Sequence, residues 1–418
     1  MGAIHAATPP PQPSPVSTAA GVSRATVLIT LGRLPKCLDI ARSFHKLGWR
    51  VIVAEPFAWH LTRTSNVVAK TFQLTAPNTN REKYLTELTD IIQQEGVTLV
   101  VPVSEEILHL SFLRDRLPAH VRLYAMPSAL LLRLHNKRTF IDVCREIGVS
   151  APETALLTDE HALAITAESD FITKPIFSCS GRGVTFHPRS DKLPVADPAA
   201  PMIVQRWIKG NVVSTFSVVH EGTALTTVVY RGAVMSGSVS VAFERLVESQ
   251  PANVAIQQWV NQFVKALNFT GFISFDFVED AEGRVHAIEC NPRATSGAHF
   301  VRPDDLARAV VDHAIRADEI RFRDETLLQQ FYPCLTEVQK AMFTSRFLPM
   351  LKKFIDARDV TWSWRDPLPF WTMTFTASQI IWLSIKHKAT FGEVATLDVG
   401  WYKDAPTGLP SQNLPPRI

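Results

Sequence analysis

Residues 272–295, FISFDFVEDAEGRVHAIECNPRAT, decide how the chain is read. Two apolar runs flank a turn over 280–283. Side chains alternate between the two faces of a strand. Ile273, Phe275 and Phe277 therefore point one way, and Ser274 and Asp276 the other. In the second run Glu289, Asn291 and, if the strand continues past Pro292, Arg293 share a face. A four-residue loop over 281–284 sets Asp276 opposite Glu289, with Cβ atoms about 5 Å apart. Two facing carboxylates repel, and burying them is costly unless a cation sits beside them. Two carboxylates and an amide oxygen are hard donors that suit Mg²⁺, which takes few protein ligands and fills its shell with water and substrate phosphates. The plainer reading puts both acids on a solvated face. It accounts for Asp276 but leaves the alternation of IECNPR unexplained.

Cations and glycines that suit a phosphate lie upstream. FITKPIFSCSGRGV places Lys174 at the end of a strand, followed by a small-residue loop over 178–183. Ser180, Gly181 and Gly183 allow backbone N–H groups to converge on an anion. The loop lacks GK[ST] and is no Walker A; by itself it is also read as an ordinary loop. NKRTFIDVCREIGV predicts a helix with Asn136 as N-cap and Phe140, Val143, Cys144 and Ile147 on its apolar face. Lys137 falls in its first turn, where a cation opposes the helix dipole. That conflict suits an anionic partner, and a solvated surface lysine is the alternative. In MIVQRWIKGN the backbone at Arg206 and Ile208 could meet a nucleotide base, with Trp207 packed behind.

The N-terminal part reads as α/β. ATVLITLGRLPKCLDIARSFHKLGWRVIVAE is a βαβ opening with a helical stripe of Leu38, Ala41, Phe44 and Leu47, closed by Gly48. Helix-then-strand order repeats through VTLVVPVSEE, which argues for a parallel sheet. Glu55 ends the second strand where a ribose-binding acid would stand. The first turn offers Gly32 alone, so a dinucleotide reading lacks its glycines. Glu105 and Glu106 lie just past a strand end, where open α/β sheets bind ligands, and either could meet an amine. Acids in a helix's first turn are also favoured by the dipole alone.

The chain has 418 residues, 46% of them hydrophobic, enough for two to three domains. With 43 basic and 40 acidic residues and no dense basic stripe, nucleic acid is excluded as an expected partner. Five scattered cysteines without a CxxC pair fit reduced thiols and a cytoplasmic setting. Residues 1–24, rich in Pro, Ala and Ser, read as a disordered tail without the marks of a secretory signal. From about Glu319 the chain is aromatic-rich. The uncharged segment PLPFWTMTFTASQIIWLSI, 367–385, approaches the length of a membrane span, although its threonines, serines and prolines favour a helix packed on the body.

Taken in this order, residues 27–317 resemble the ATP-grasp superfamily of carboxylate–amine or carboxylate–thiol ligases. The elements are an N-terminal βαβ domain, a lysine before a helix, Lys-Pro with a glycine loop, a hinge strand, and finally FDF…IECNPR. The resemblance implies an α/β plus α+β fold: a pre-ATP-grasp parallel-sheet domain over 25–127, an ATP-grasp domain over 128–318, and an aromatic-rich C-terminal region over 319–418. It implies ATP and Mg²⁺ or Mn²⁺ as cofactors. Lys137 and Lys174 would hold phosphates beneath the loop of Ser180, Gly181 and Gly183. Gln205 and the backbone of Arg206 and Ile208 would clasp adenine. Asp276, Glu289 and Asn291 would bind metal, and Arg293 would steady an acyl-phosphate. Thr295 and Ser296 would lie near the substrate. The implied activity activates a small carboxylate and joins it to an amine. A nucleotide-binding protein without turnover is the alternative. Two departures bear on the base site: Gln205 stands where many relatives carry an acid, and Gly210 is followed by Asn211, Val212 and Val213 without a ribose-binding acid, leaving Asn211 or Ser214 for that contact. A homodimer and membrane contact through 367–385 are admitted, the latter as the less favoured reading.

Overall fold

The computed structural model describes residues 24–179, 181–388 and 391–401. The proline-rich N-terminal stretch, apart from Arg24, and Ser180 lie outside the described residues.

Short, mostly apolar runs near the N-terminus form a parallel sheet whose central strands are buried on both faces while its edge strands are more exposed. Its strands are β1 (Thr26–Thr30), β2 (Arg50–Glu55), β3 (Lys70–Gln73), β4 (Val97–Val101) and β5 (Arg122–Leu123), in the order β3-β2-β1-β4-β5. The chain runs outward from β1 to β3 and returns to β4 on the other side. The β1/β4 boundary is therefore a switch point, where ligands bind beyond the carboxyl ends of the strands. The helix Pro35–Lys46 starts there and buries Leu38, Ala41 and Phe44, while Leu47 falls past its end and Gly48 turns at φ +87°.

A small antiparallel sheet follows: β6 (Thr154–Leu156), β7 (Phe171–Pro175), β8 (Thr185–His187) and β9 (Met202–Arg206), ordered β6-β9-β7-β8. The third sheet contains β10 (Gly210–His220), β11 (Thr223–Ser236), β12 (Val239–Arg245), β13 (Gly271–Asp280), β14 (Val285–Asn291), β15 (Leu327–Gln329) and β16 (Arg358–Asp359), ordered β14-β13-β10-β11-β12-β15-β16. Strands from beyond residue 318 thus extend it.

One face of β13 carries Ile273, Phe275 and Phe277 against the helices Lys137–Ile147 and Pro251–Ala266. Phe275 meets Trp259 at 4.9 Å and Phe263 at 5.0 Å between ring centroids. This aromatic layer fixes the strand's rotation and turns Ser274 and Asp276 to the opposite face. The helix Lys137–Ile147 begins as its sequence predicts, with the Asn136 side chain accepting from the N–H groups of Arg138 and Thr139. It ends at Gly148, φ +77°.

The C-terminal segment 367–385 breaks into three short helices, Leu368–Trp371, Met373–Thr376 and Ser378–His387. Among the described residues no helix is long and apolar enough to cross a membrane. Residues beyond 391 run back over the N-terminal sheet. Arg33 makes two 2.8 Å bonds to Asp398, and Trp401 is buried against His109 and Phe112. Arg33 also occupies Glu55, its Nε donating at 2.8 Å. That acid is spent inside the protein and is not available to a ribose.

Candidate active site

The hairpin of β13 and β14 pairs Ser274 with Asn291 and Asp276 with Glu289. The pairing matches the sequence reading but is reached differently. The turn is tighter, with Asp280 N–H bonded to Arg284 C=O and Gly283 at φ +76°. The register near the turn is therefore one residue short, and a bulge at Ile288 restores it. Bulges re-aim side chains beside active sites. This one turns Ile288 toward the cavity, and its carbonyl accepts from Lys174 Nζ at 3.0 Å.

Lys137, Lys174, Asp276 and Glu289 form one electrostatic cluster. Lys137 Nζ lies 3.1 Å from Glu289 Oε1 and donates to Ser178 C=O at 2.8 Å. Only 2% of its side chain is exposed, so the surface-lysine reading does not hold. Burial lowers the Lys174 ammonium to about 8, although Glu289 opposes that shift. Asp276 accepts from Ser214 Oγ at 2.6 Å and from Asn291 Nδ2 at 3.1 Å. Burial and the neighbouring Glu289 push its carboxyl up. Burial would also raise Glu289, but Lys137, then Lys174, outweigh it and hold that acid down.

This donor set fits a divalent cation. A raised carboxyl facing a second carboxylate is a repulsion that a cation would relieve. Asn291 now offers its Nδ2 to Asp276 while its Oδ1 accepts from Arg293 Nη2 at 3.1 Å, so it joins a metal only by turning its oxygen inward. Among the described residues no three His, Cys, Asp or Glu side chains cluster on their own as a metal site. Two carboxylates completed by phosphate oxygens and water meet that condition.

Arg293 lies beside these groups. Its Nε donates to Glu105 Oε1 at 2.6 Å. Burial would raise Glu105, but Arg293, then His135, bring it down to about 2. Its side chain is 1% exposed and lines the cavity beside Arg293. Thr295 Oγ1 donates to Thr215 C=O at 2.9 Å and sits 3.0 Å from Ser274 Oγ; Thr295 and Ser296 both line the cavity. Gly181 and Gly183 take φ +69° and +71°. A Cβ at Gly183 would come within 2.8 Å of the Pro175 ring, so the loop's path requires glycine.

None of the base-clasp residues Gln205, Arg206 and Ile208 lines the cavity directly. Gln205 is paired with Ile172, which lines the cavity; its Nε2 donates to Thr154 at 2.9 Å and its buried Oε1 has no partner. Arg206 is exposed, Ile208 half-buried, and Trp207 packs edge-on to Phe186 at 5.1 Å. Ser214 lines the cavity and donates to Asp276, whereas Asn211 is exposed and, by alternation along β10, points to the face opposite Val212 and Ser214.

Lys174, Gly181, Asp276, Glu289, Asn291 and Arg293 line one cavity of about 770 Å³. Three contributors escaped the sequence reading. Lys36 donates to Ala294 C=O at 2.6 Å and Ser104 Oγ at 3.2 Å, and burial, then Arg293, lowers it to about 7. It sits in the first turn of a helix, so the dipole conflict that singled out Lys137 would have found it too. His135, stacked on Phe177 and 3.7 Å from Glu105, and the helices after residue 373, which line the cavity, had no comparable signal.

Asp276, Glu289, Lys174 and Gly181 meet on one cavity wall, with Lys137 behind Glu289. Residues 134–297 match the model of the ATP-grasp domain, and the chain contains that domain. Similar solved structures include the biotin carboxylase domain of the 2-oxoglutarate carboxylase of Hydrogenobacter thermophilus, complexed with MgADP, ADP and bicarbonate (TM-score 0.57, 13% identity, 72% of this chain and 73% of that one). The N5-carboxyaminoimidazole synthetase of Staphylococcus aureus gives 0.57, 15%, 76% and 85%. The L-amino acid ligase of Bacillus licheniformis gives 0.55, 14%, 71% and 77%. These likenesses establish the fold. A curated relative, the arginine-specific large chain of carbamoyl phosphate synthase from Oryza sativa subsp. japonica, is 20% identical over 182 residues. That match takes in 40% of this chain and 16% of the relative's length.

Proposed function

We propose that this chain is an ATP- and Mg²⁺-dependent ligase that activates a carboxylate and joins it to an amine, releasing ADP and phosphate. The observation that carries the proposal is Asp276 held opposite Glu289 on the cavity wall, with the buried Lys137 on that acid and Lys174 on the adjoining carbonyl. Relatives named as an L-amino acid ligase and a carbamoyl phosphate synthase support this direction. The division at 25–127, 128–318 and 319–418 is proposed with it.

Asp276 and Glu289, with Asn291 turned oxygen-first, would hold Mg²⁺, whose contribution is to neutralise phosphate charge. Lys137 and Lys174 receive the phosphates, and the backbone at Gly181 and Gly183 covers them. Ile172, Val184, Val212 and Ile288 offer apolar surface to the base, and the unpaired Gln205 Oε1 accepts an N–H where an acid would otherwise do so. A carboxylate oxygen attacks the γ-phosphorus as the P–O bond to ADP breaks. The amine nitrogen then attacks the acyl carbon, the C–O bond to phosphate breaks, and the nitrogen loses a proton. Arg293, oriented by Glu105 and Asn291, stabilises the charge that develops on the acyl-phosphate.

The substitution at Gln205 and the absent ribose acid favour a second reading, nucleotide binding without turnover. The test is ADP release by the full chain with ATP, Mg²⁺, a carboxylate panel and hydroxylamine as a general amine. Carboxylate-dependent ADP release with hydroxamate formation supports the ligase. ATP binding with neither product supports the alternative.

A further inference from the structure

We infer that the acid substrate is a predominantly apolar carboxylic acid, with its carboxylate on Lys36 and Arg293 and its body against the C-terminal helices. This inference rests on the ligase reading and assigns its substrate class.

The cavity has two chemically distinct halves. The half beside β13 and β14 holds the acids and lysines described above. The other half is walled by Leu34, Leu61, Met373, Ala377, Ile380 and Phe391. Between residues 373 and 396 the described lining side chains carry no charge. Lys340, nearby, is paired with Glu337 at 2.7 Å. Thr374, Thr376, Ser384 and Thr396 add hydroxyls to this wall, so a ligand hydroxyl can be met there, but a second charge would be left without a counter-charge, at a large desolvation cost. Ile381 and Ile385 line the mouth and are 42% and 73% exposed. Isoleucines left in water at the mouth of an apolar pocket suit an apolar ligand that covers them.

The carboxylate end has its own site. Lys36 lies past β1, at the switch point of the parallel sheet, with Ser104 past β4 beside it. An ammonium carries three donors, and two are used by Ser104 and Ala294. The third remains for an anion. The helix Pro35–Lys46 starts here with no side-chain N-cap; Pro35 has no N–H and the Cys37 N–H donates to Leu34 C=O, so the Lys36 side chain supplies the cationic contact. Arg293 and Lys36 line the same cavity as the catalytic acids, which brings a bound carboxylate toward the phosphates.

The experiment compares octanoate and 3-phenylpropanoate with acetate and succinate, using the full chain, ATP, Mg²⁺ and hydroxylamine. The apolar acids should raise ADP release about tenfold or more over the short and doubly charged ones. Ile381→Asp, at a position 42% exposed, should raise the KM for octanoate about tenfold while leaving the affinity for MgATP unchanged. Lys36→Met should raise the same KM, and Lys36→Arg should restore part of it. Octanoate binding in the presence of MgADP, followed by calorimetry, reads the site without turnover. Binding that Ile381→Asp weakens about tenfold supports the pocket even if no acid releases ADP, in which case the ligase reading alone fails. ADP release driven by succinate or acetate with octanoate inert, or no calorimetric binding of octanoate, overturns the substrate class.

Discussion

Lys174 is an ammonium kept from water, with a carbonyl and a carboxylate as company. Its pKa in the folded chain is about 8 against 10.5 unfolded. Between those values the unfolded chain binds the extra proton, so this residue makes stability rise with pH across the window. Below about pH 8 its full cost, about 3 kcal/mol, is present. Lys174→Met should therefore flatten the dependence of unfolding free energy on pH from 8 to 10.5 relative to the wild type, as read by urea titration. An unchanged slope would place the shift elsewhere. MgATP should raise the wild-type Tm more at pH 7 than at pH 10, because the charged lysine is the form that gains. At this scale the sequence was informative wherever residue type conflicted with local physics. Acids in apolar strands and a lysine at a helix N-terminus both marked the site. Ser214 and His135 created no such conflict. Their roles come from register and stacking with residues far along the chain.

The hairpin of β13 and β14 shows what pattern alone can and cannot give. Alternation assigned Asp276, Glu289 and Asn291 to one face, because the aromatic layer on the other face admits nothing polar. The loop count reached the right pairing through a wrong path. A bulge cannot be counted from a sequence when either register keeps the apolar residues inside. Deleting Ile288 tests what the bulge contributes. The strands would then pair regularly and still set Asp276 against Glu289. The apolar floor and the carbonyl that holds Lys174 would be lost. The KM for ATP should rise about tenfold, consistent with one lost charge-assisted hydrogen bond and its packing, with the far-UV spectrum unchanged. A normal KM would show the bulge to be incidental.

On the scale of the whole molecule, three distant parts of the chain close one cavity: the switch point of the parallel sheet, the acidic hairpin and the C-terminal helices. The last of these was the least legible. An uncharged aromatic segment can be a lid, an interface or a membrane foot, and periodicity does not choose among them. The choice is made by contacts such as Arg33 to Asp398, 365 residues apart in sequence. Asp398→Asn should loosen the segment that carries Ala395 and Thr396. A loss of about 1–3 kcal/mol in denaturant unfolding is expected, with a higher KM for the carboxylate and an unaltered KM for ATP. Equal changes in both would mean that the strap supports the nucleotide site as well. The central claim is that Asp276 and Glu289 face one another to hold a metal that grips a triphosphate. Its most direct test is calorimetric titration of ATP into wild type and Glu289→Gln, with and without Mg²⁺. The account predicts that Mg²⁺ tightens ATP binding to the wild type at least about tenfold and leaves the variant unaffected. Equal Mg²⁺ dependence in both proteins would contradict it.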